Sequence, residues 1–146
     1  MYKLQNEKIA EILERRGALV GYLFGSAARG EMGPHSDIDV AVLFDEEKVP
    51  QEKQFDAKLD IASEIAESSG VERVDVINLS TTSDPLIKYI AAFSGVLFFE
   101  KNKERRLTLE RSIVREYENT RSLRRIAETV MKNQIRNGAF GKARNI

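Results

Sequence analysis

The chain has 146 residues, 42% hydrophobic and 32% charged, with a formal net charge of zero and no cysteine, which predicts one soluble, cytoplasmic domain with a sizeable buried core. No apolar run approaches the roughly 18 residues of a membrane-spanning helix, and Met1 to Glu7 show no secretory signal pattern, so membrane insertion and export are not expected. With His35 the single histidine, a disulfide framework and a zinc site of Cys and His are excluded, and any metal must be held by carboxylates.

Leu4, Lys8, Ile9, Ile12 and Leu13 follow a helical period that Gly17 ends. Leu19 to Phe24 is a short apolar run between Gly17 and Gly25, read as a buried strand that leads into a glycine turn. After a polar loop, Ile38 to Phe44 reads as a second strand. Gln54 to Ser69 predicts an amphipathic helix with Phe55, Leu59, Ala62, Ile65 and Ala66 on one face, stopped by Gly70. Arg73 to Ile77 is a third strand. Ser83 and Asp84 before Pro85 signal a helix start, because Pro is tolerated in the first turn and an oxygen caps free amides. A short helix over Leu86 to Ala92 then precedes a fourth strand, Val96 to Phe99. From about Leu107 to Arg136 there is no Gly or Pro, and apolar residues recur every three or four positions, so one long helix is expected.

The pattern implies an α/β (α+β) fold: a small mixed β-sheet of about four strands flanked by helices, with a long C-terminal helix. The expected division is a domain over 1–103, a helix over 104–137 that packs on the domain, a partner or both, and a flexible tail over 138–146. The zero net charge conceals an asymmetry. Residues 1–100 carry 10 Lys/Arg against 18 Asp/Glu, and residues 101–146 carry 13 against 5. Such a split suits an interaction surface, although the two halves also neutralise each other within one fold.

Chemistry concentrates between the first two strands, in Phe24-Gly25-Ser26-Ala27-Ala28-Arg29-Gly30-Glu31-Met32-Gly33-Pro34-His35-Ser36-Asp37-Ile38-Asp39. A Gly-Ser pair after a buried strand lets the backbone approach a phosphate, with amides and a hydroxyl aimed at its oxygens. Arg29 adds a fixed charge with planar donors. Taken alone, Gly25-Ser26 reads more readily as an ordinary turn. Asp37 and Asp39 lie two apart at the head of a strand, so both carboxylates project from one face, roughly 7 Å apart along the backbone. Their repulsion is relieved by a divalent cation such as Mg²⁺; the commoner explanation of an isolated Asp-x-Asp is a turn cap beside a solvated acid.

Asp75 shifts that balance, because it interrupts the apolar strand Val74-Asp75-Val76-Ile77. If this strand neighbours the one that carries Asp39, three carboxylates converge and suit two Mg²⁺ ions and phosphoryl or nucleotidyl transfer. Otherwise Asp75 lies on a wet face.

Gly25-Ser26, ten residues, Asp37-Ile38-Asp39 and a later strand acid at Asp75 resemble the signature of the DNA polymerase β-like nucleotidyltransferase superfamily. Within it, the run from Gly25 to Val42 is similar to the small MNT-type nucleotidyltransferases. The resemblance implies a nucleotidyltransferase fold with ATP as substrate and two Mg²⁺ ions. Gly25, Ser26, Arg29 and Ser36 would form the nucleotide-binding set, and Asp37, Asp39 and Asp75 the metal-binding and catalytic set. It further implies AMP transfer to a hydroxyl, a tyrosine of a small all-helical HEPN ribonuclease toxin, with this chain as a protein adenylyltransferase and antitoxin. The long basic helix offers such a partner a docking face.

Two other readings stay open: a nucleotidyltransferase that acts on a small molecule or an RNA end, and an inactive fold that neutralises its partner by binding. His35 is read as a turn residue. Tyr22, Tyr89, Phe93 and Phe98 have the spacing of core residues. Glu110, Glu116, Glu118 and Glu128 interleave the arginines of the last helix and favour a salt-bridged face over direct nucleic-acid binding. Homo- or hetero-oligomers both fit.

Overall fold

The computed structural model describes residues 2–25 and 37–137, with side chains from Asn6 onward. The predicted tail, together with Ser26, Arg29, His35 and Ser36, lies outside the described residues. The elements run α1 (Tyr2–Arg15), β1 (Ala18–Phe24), β2 (Ile38–Phe44), α2 (Gln51–Ser69), β3 (Val74–Asn78), α3 (Pro85–Tyr89), a π-helical turn (Ile90–Ser94), β4 (Val96–Glu100) and α4 (Lys103–Arg136). The four strands form one mixed sheet in the order β3-β2-β1-β4. β1 runs antiparallel to both β2 and β4, whereas β2 and β3 are parallel and joined through α2. The expected fold class therefore holds.

Alternation along the strands divides the core in two. Ile38, Val40, Val42 and Phe44 of β2 pack with Ile9, Leu13, Ile61 and Ile65 of α1 and α2, and Val74 and Val76 of β3 join them. Ala41 and Leu43 point the other way, toward Tyr22, Phe24, Leu79 and Ala91, with Ile77 and Leu109 against them. Both faces are apolar, so the central strands read as continuous hydrophobic runs rather than alternating ones.

Helix termini follow the expected chemistry. Asp84 accepts a hydrogen bond from the Leu86 amide at the start of α3, and Asn102 accepts one from the Arg105 amide at the start of α4. Gly70 closes α2 in a left-handed conformation, with φ of 73°.

Two expectations need correction. The buried face of α2 is Gln54, Ile61 and Ile65, whereas Phe55 and Leu59 are exposed. The helix is rotated because Gln54 serves as a polar anchor: its side-chain amide donates to the Val49 carbonyl at 3.0 Å and its oxygen accepts from Asn78 at 2.8 Å. Phe93, expected in the core, is exposed at the end of the π-helical turn.

α4 is one continuous helix of 34 residues, about 50 Å long at 1.5 Å per residue. Only its first half packs. Ile113 is buried, Tyr22 donates its hydroxyl proton to Glu110 at 2.8 Å, and Arg106 bridges Glu100 and Glu110. The Lys88 ammonium, largely buried, meets Glu116 at 2.7 Å and ties α3 to α4. Beyond Tyr117, the apolar residues Leu123, Ile126, Val130, Met131 and Ile135 are all exposed. No helix among the described residues is long and apolar enough to cross a membrane.

Candidate active site

The parallel pairing of β2 and β3 sets Asp39 directly opposite Asp75. Residues paired across neighbouring strands point to the same face. Because Val40 and Val76 face α1 and α2, Asp39 and Asp75 occupy the opposite face, on the side of α3 and the π-helical turn. Asp37 precedes β2 by one residue and is two residues from Asp39. The strand neighbourhood on which convergence of the three acids depends is thus present.

The Asp39 carboxyl is pushed above its ordinary pKa, first by burial and then by the negative charges of Asp75 and Asp37. The site therefore stores repulsion that a bound cation would relieve. Asp37 and Arg73 approach to 4.0 Å, and the Ile38 amide donates to the Arg73 carbonyl at 3.0 Å. Arg73 was invisible to motif reasoning, being one exposed arginine among many until the parallel register brings it beside Asp37. Among the described residues no group of three or more Asp, Glu or His side chains is set to hold a metal ion as it stands.

Gly25 closes the strand that faces these acids. Phe24 pairs with Asp39 across β1 and β2, and Gly25 follows with φ of 68°, a conformation open to glycine at little cost. A Cβ placed there would lie 2.5 Å from Asp39 Oδ2. The glycine thus supplies both the turn and the room for the carboxylate. Ser26, Arg29 and Ser36 lie outside the described residues, so of the expected nucleotide-binding set only Gly25 is placed.

A cleft of about 460 Å³ opens at the far end of the sheet, lined by Arg15, Arg16, Gly17, Lys48 and Lys53 among others. Its arginines are engaged in ion pairs: Arg15 with Glu64, and Arg16 with Glu64 and Asp60. The acids stand at the opposite strand ends.

Residues 7–104 match the family described as Polymerase beta, Nucleotidyltransferase. A Methanocaldococcus jannaschii protein provisionally named a protein adenylyltransferase is 38% identical over 66 residues, which are 45% of this chain and 62% of that relative. The chain thus spans less than two thirds of that relative's length. A toxin-antitoxin crystal structure with AMP-PNP contains a chain with a TM-score of 0.70 at 21% identity, covering 86% of this chain and 98% of its own. A mutant of the toxin-antitoxin MntA-HpeT gives a TM-score of 0.69 at 19% identity, with the same coverage. At such identities the likeness is one of fold.

Proposed function

The chain belongs to the polymerase beta nucleotidyltransferase family, and on that premise we propose that it transfers AMP from ATP to a protein hydroxyl, a tyrosine of a small helical HEPN ribonuclease toxin, and so acts in the cytoplasm as that toxin's antitoxin. The observation that carries this reading is the in-register pair Asp39 and Asp75, with Asp37 beside them and Gly25 against the Asp39 carboxylate. The toxin-antitoxin setting of the structurally similar chains supports the choice of partner.

In this reading Gly25, Ser26, Arg29 and Ser36 hold the triphosphate, and Asp37, Asp39 and Asp75 hold two Mg²⁺ ions. The donor set fits: Mg²⁺ takes a few carboxylates and completes its shell with water and phosphate oxygens, and the Asp39 carboxyl, raised by burial and by the neighbouring acids, is one that gains from a cation. The metal, when bound, lowers the hydroxyl pKa and offsets the charge that develops at the α-phosphorus. The acceptor oxygen then forms its bond to the α-phosphorus in line with the bridging oxygen. The bond to that oxygen breaks, pyrophosphate leaves with the electron pair, and the hydroxyl proton is lost to solvent.

Residues 1–103 form the transferring unit, and the packed half of α4 braces it. The free half carries Arg121, Arg125, Lys132 and Arg136 around its exposed apolar residues, which suits a helical partner with acidic borders.

The test is the intact mass of the toxin after incubation with this chain, ATP and Mg²⁺. The expected result is a gain of whole AMP units that Asp39→Ala abolishes. A stable complex with no gain in mass would replace transfer by neutralisation through binding. Neither gain nor complex would return the acceptor to a small molecule or an RNA end.

A further inference from the structure

Four π systems follow one another along α3 and α4. The rings of Phe93 and Tyr89 have centroids 5.0 Å apart, Tyr89 stacks on Tyr117 at 4.0 Å, and the Arg124 guanidinium lies 4.0 Å from the Tyr117 centroid. Arg124 closes one end of the row. The other end is open: Phe93 is 44% exposed.

The turn that carries the open end packs beside the end of β1, next to Gly25. After the π-helical turn comes Gly95, where a Cβ would collide with the Ala91 carbonyl and come within 2.6 Å of the Leu23 carbonyl and 3.1 Å of Phe24 Cβ. Phe24 is the residue opposite Asp39 and immediately before Gly25. The turn that carries Phe93 is therefore packed against the strand end from which the glycine turn departs. It lies on the same face of the sheet as Asp39 and Asp75. Lys88 is buried toward α4 and Ala91 toward the sheet, so Leu86, Ile90 and Phe93 remain on the outer side of this segment, all exposed.

We infer that this apolar wall is the nucleobase subsite, with the base of the nucleotide stacked on Phe93 and edged by Ile90. The inference rests on the transfer reading above. A nucleotide held by its phosphates at Gly25 has the π-helical turn as its neighbouring wall, and a π face needs no directional partner beyond a second ring. Stacking of this kind is tolerant of base identity, so Phe93 holds the adenine of ATP without itself selecting it over other bases.

The experiment is calorimetric titration of the full chain with ATP and, separately, with inorganic tripolyphosphate, both with Mg²⁺. For Phe93→Ala the expected result is about tenfold weaker ATP binding, as for loss of one base-aromatic stack, with tripolyphosphate binding unchanged. Phe93→Trp restores ATP affinity. Unchanged ATP binding by Phe93→Ala, with or without lost affinity for the toxin, overturns the subsite. So does an equal loss for both ligands, which would mean that the turn itself had shifted. A parent chain that binds neither ligand refutes the transfer reading, and the subsite falls with it.

Discussion

Asp39 is burdened by its surroundings, and that burden is measurable without substrate. Its carboxyl titrates above the ordinary value because of burial and two neighbouring acids, so ionising it opposes folding. The penalty is absent below the unfolded value of about 3.9, develops as pH rises through the folded-state value, and is complete above it. Asp39→Asn is therefore expected to raise the thermal midpoint at pH 7 in metal-free buffer, to leave it unchanged at pH 3, and to abolish AMP transfer. A lower midpoint at pH 7 would mean that attractive contacts hold the carboxylate. Gly25→Ala makes the complementary case. Its positive φ costs a side chain about 1–2 kcal/mol, and the new methyl group meets Asp39 Oδ2. The expected outcome is a lower urea midpoint and at least about tenfold slower transfer. The motif singles out Asp37, Asp39 and Gly25 by residue type and spacing, and the fold sets Asp75 and Gly25 against Asp39. Arg73 was not legible, since its place beside Asp37 depends on strand register.

Strands and helix signals are readable because the runs are short and apolar and the cap at Asp84 is an ordinary one, whereas the cap at Asn102 starts the last helix at Lys103, four residues before its apolar period at Leu107 shows it. The orientation of α2 is not readable. Counting apolar residues favoured Phe55 and Leu59, while the buried position belongs to Gln54, whose partner Asn78 lies 24 residues away. A buried amide is stable only when its partners are in place, and no local pattern shows that they are. Gln54→Ala removes the acceptor for Asn78 Nδ2 and the donor to the Val49 carbonyl. It is expected to cost about 2–3 kcal/mol, read from urea denaturation. Gln54→Leu is expected to remain destabilising, because volume alone leaves the Asn78 amide unpaired; full stability in that variant would show that water satisfies Asn78. The exposure of Phe93 escaped sequence reading for a related reason: a π-helical turn shifts the helical phase after Tyr89.

Across the whole molecule, the charge division between residues 1–100 and 101–146 is only partly spent inside the fold. Arg106 and Glu110 are consumed by the clamp on Tyr22 and Glu100, and Glu116 by Lys88. Beyond Thr120, Arg121 pairs with Glu118 and Arg124 lies on Tyr117 and donates to the Tyr117 carbonyl, all within the same helix, so these cations are not spent on the acidic part of the domain. This sets where the chain can be cut. Ending it after Lys103 removes Ile113 and both clamps, so the remainder is expected to unfold. Ending it after Arg125 retains every one of these contacts, together with the Arg124 guanidinium on Tyr117. That shorter chain is expected to keep the urea midpoint of the parent while losing the toxin in size-exclusion chromatography; retained binding would place the docking face elsewhere.

Half-packing of α4 also divides a single helix into two thermodynamic regimes. Amides from about Arg106 to Tyr117 open only when the domain opens and should exchange with deuterium at the slow global rate. Those beyond Arg124 have only their own turns to protect them, and a segment of that length is marginal as an isolated helix in water. Exchange should therefore quicken along the helix past the stacked pair of Tyr117 and Arg124. A partner that grips the distal end would then be read out as a slowing of exchange there, with the proximal half unaffected.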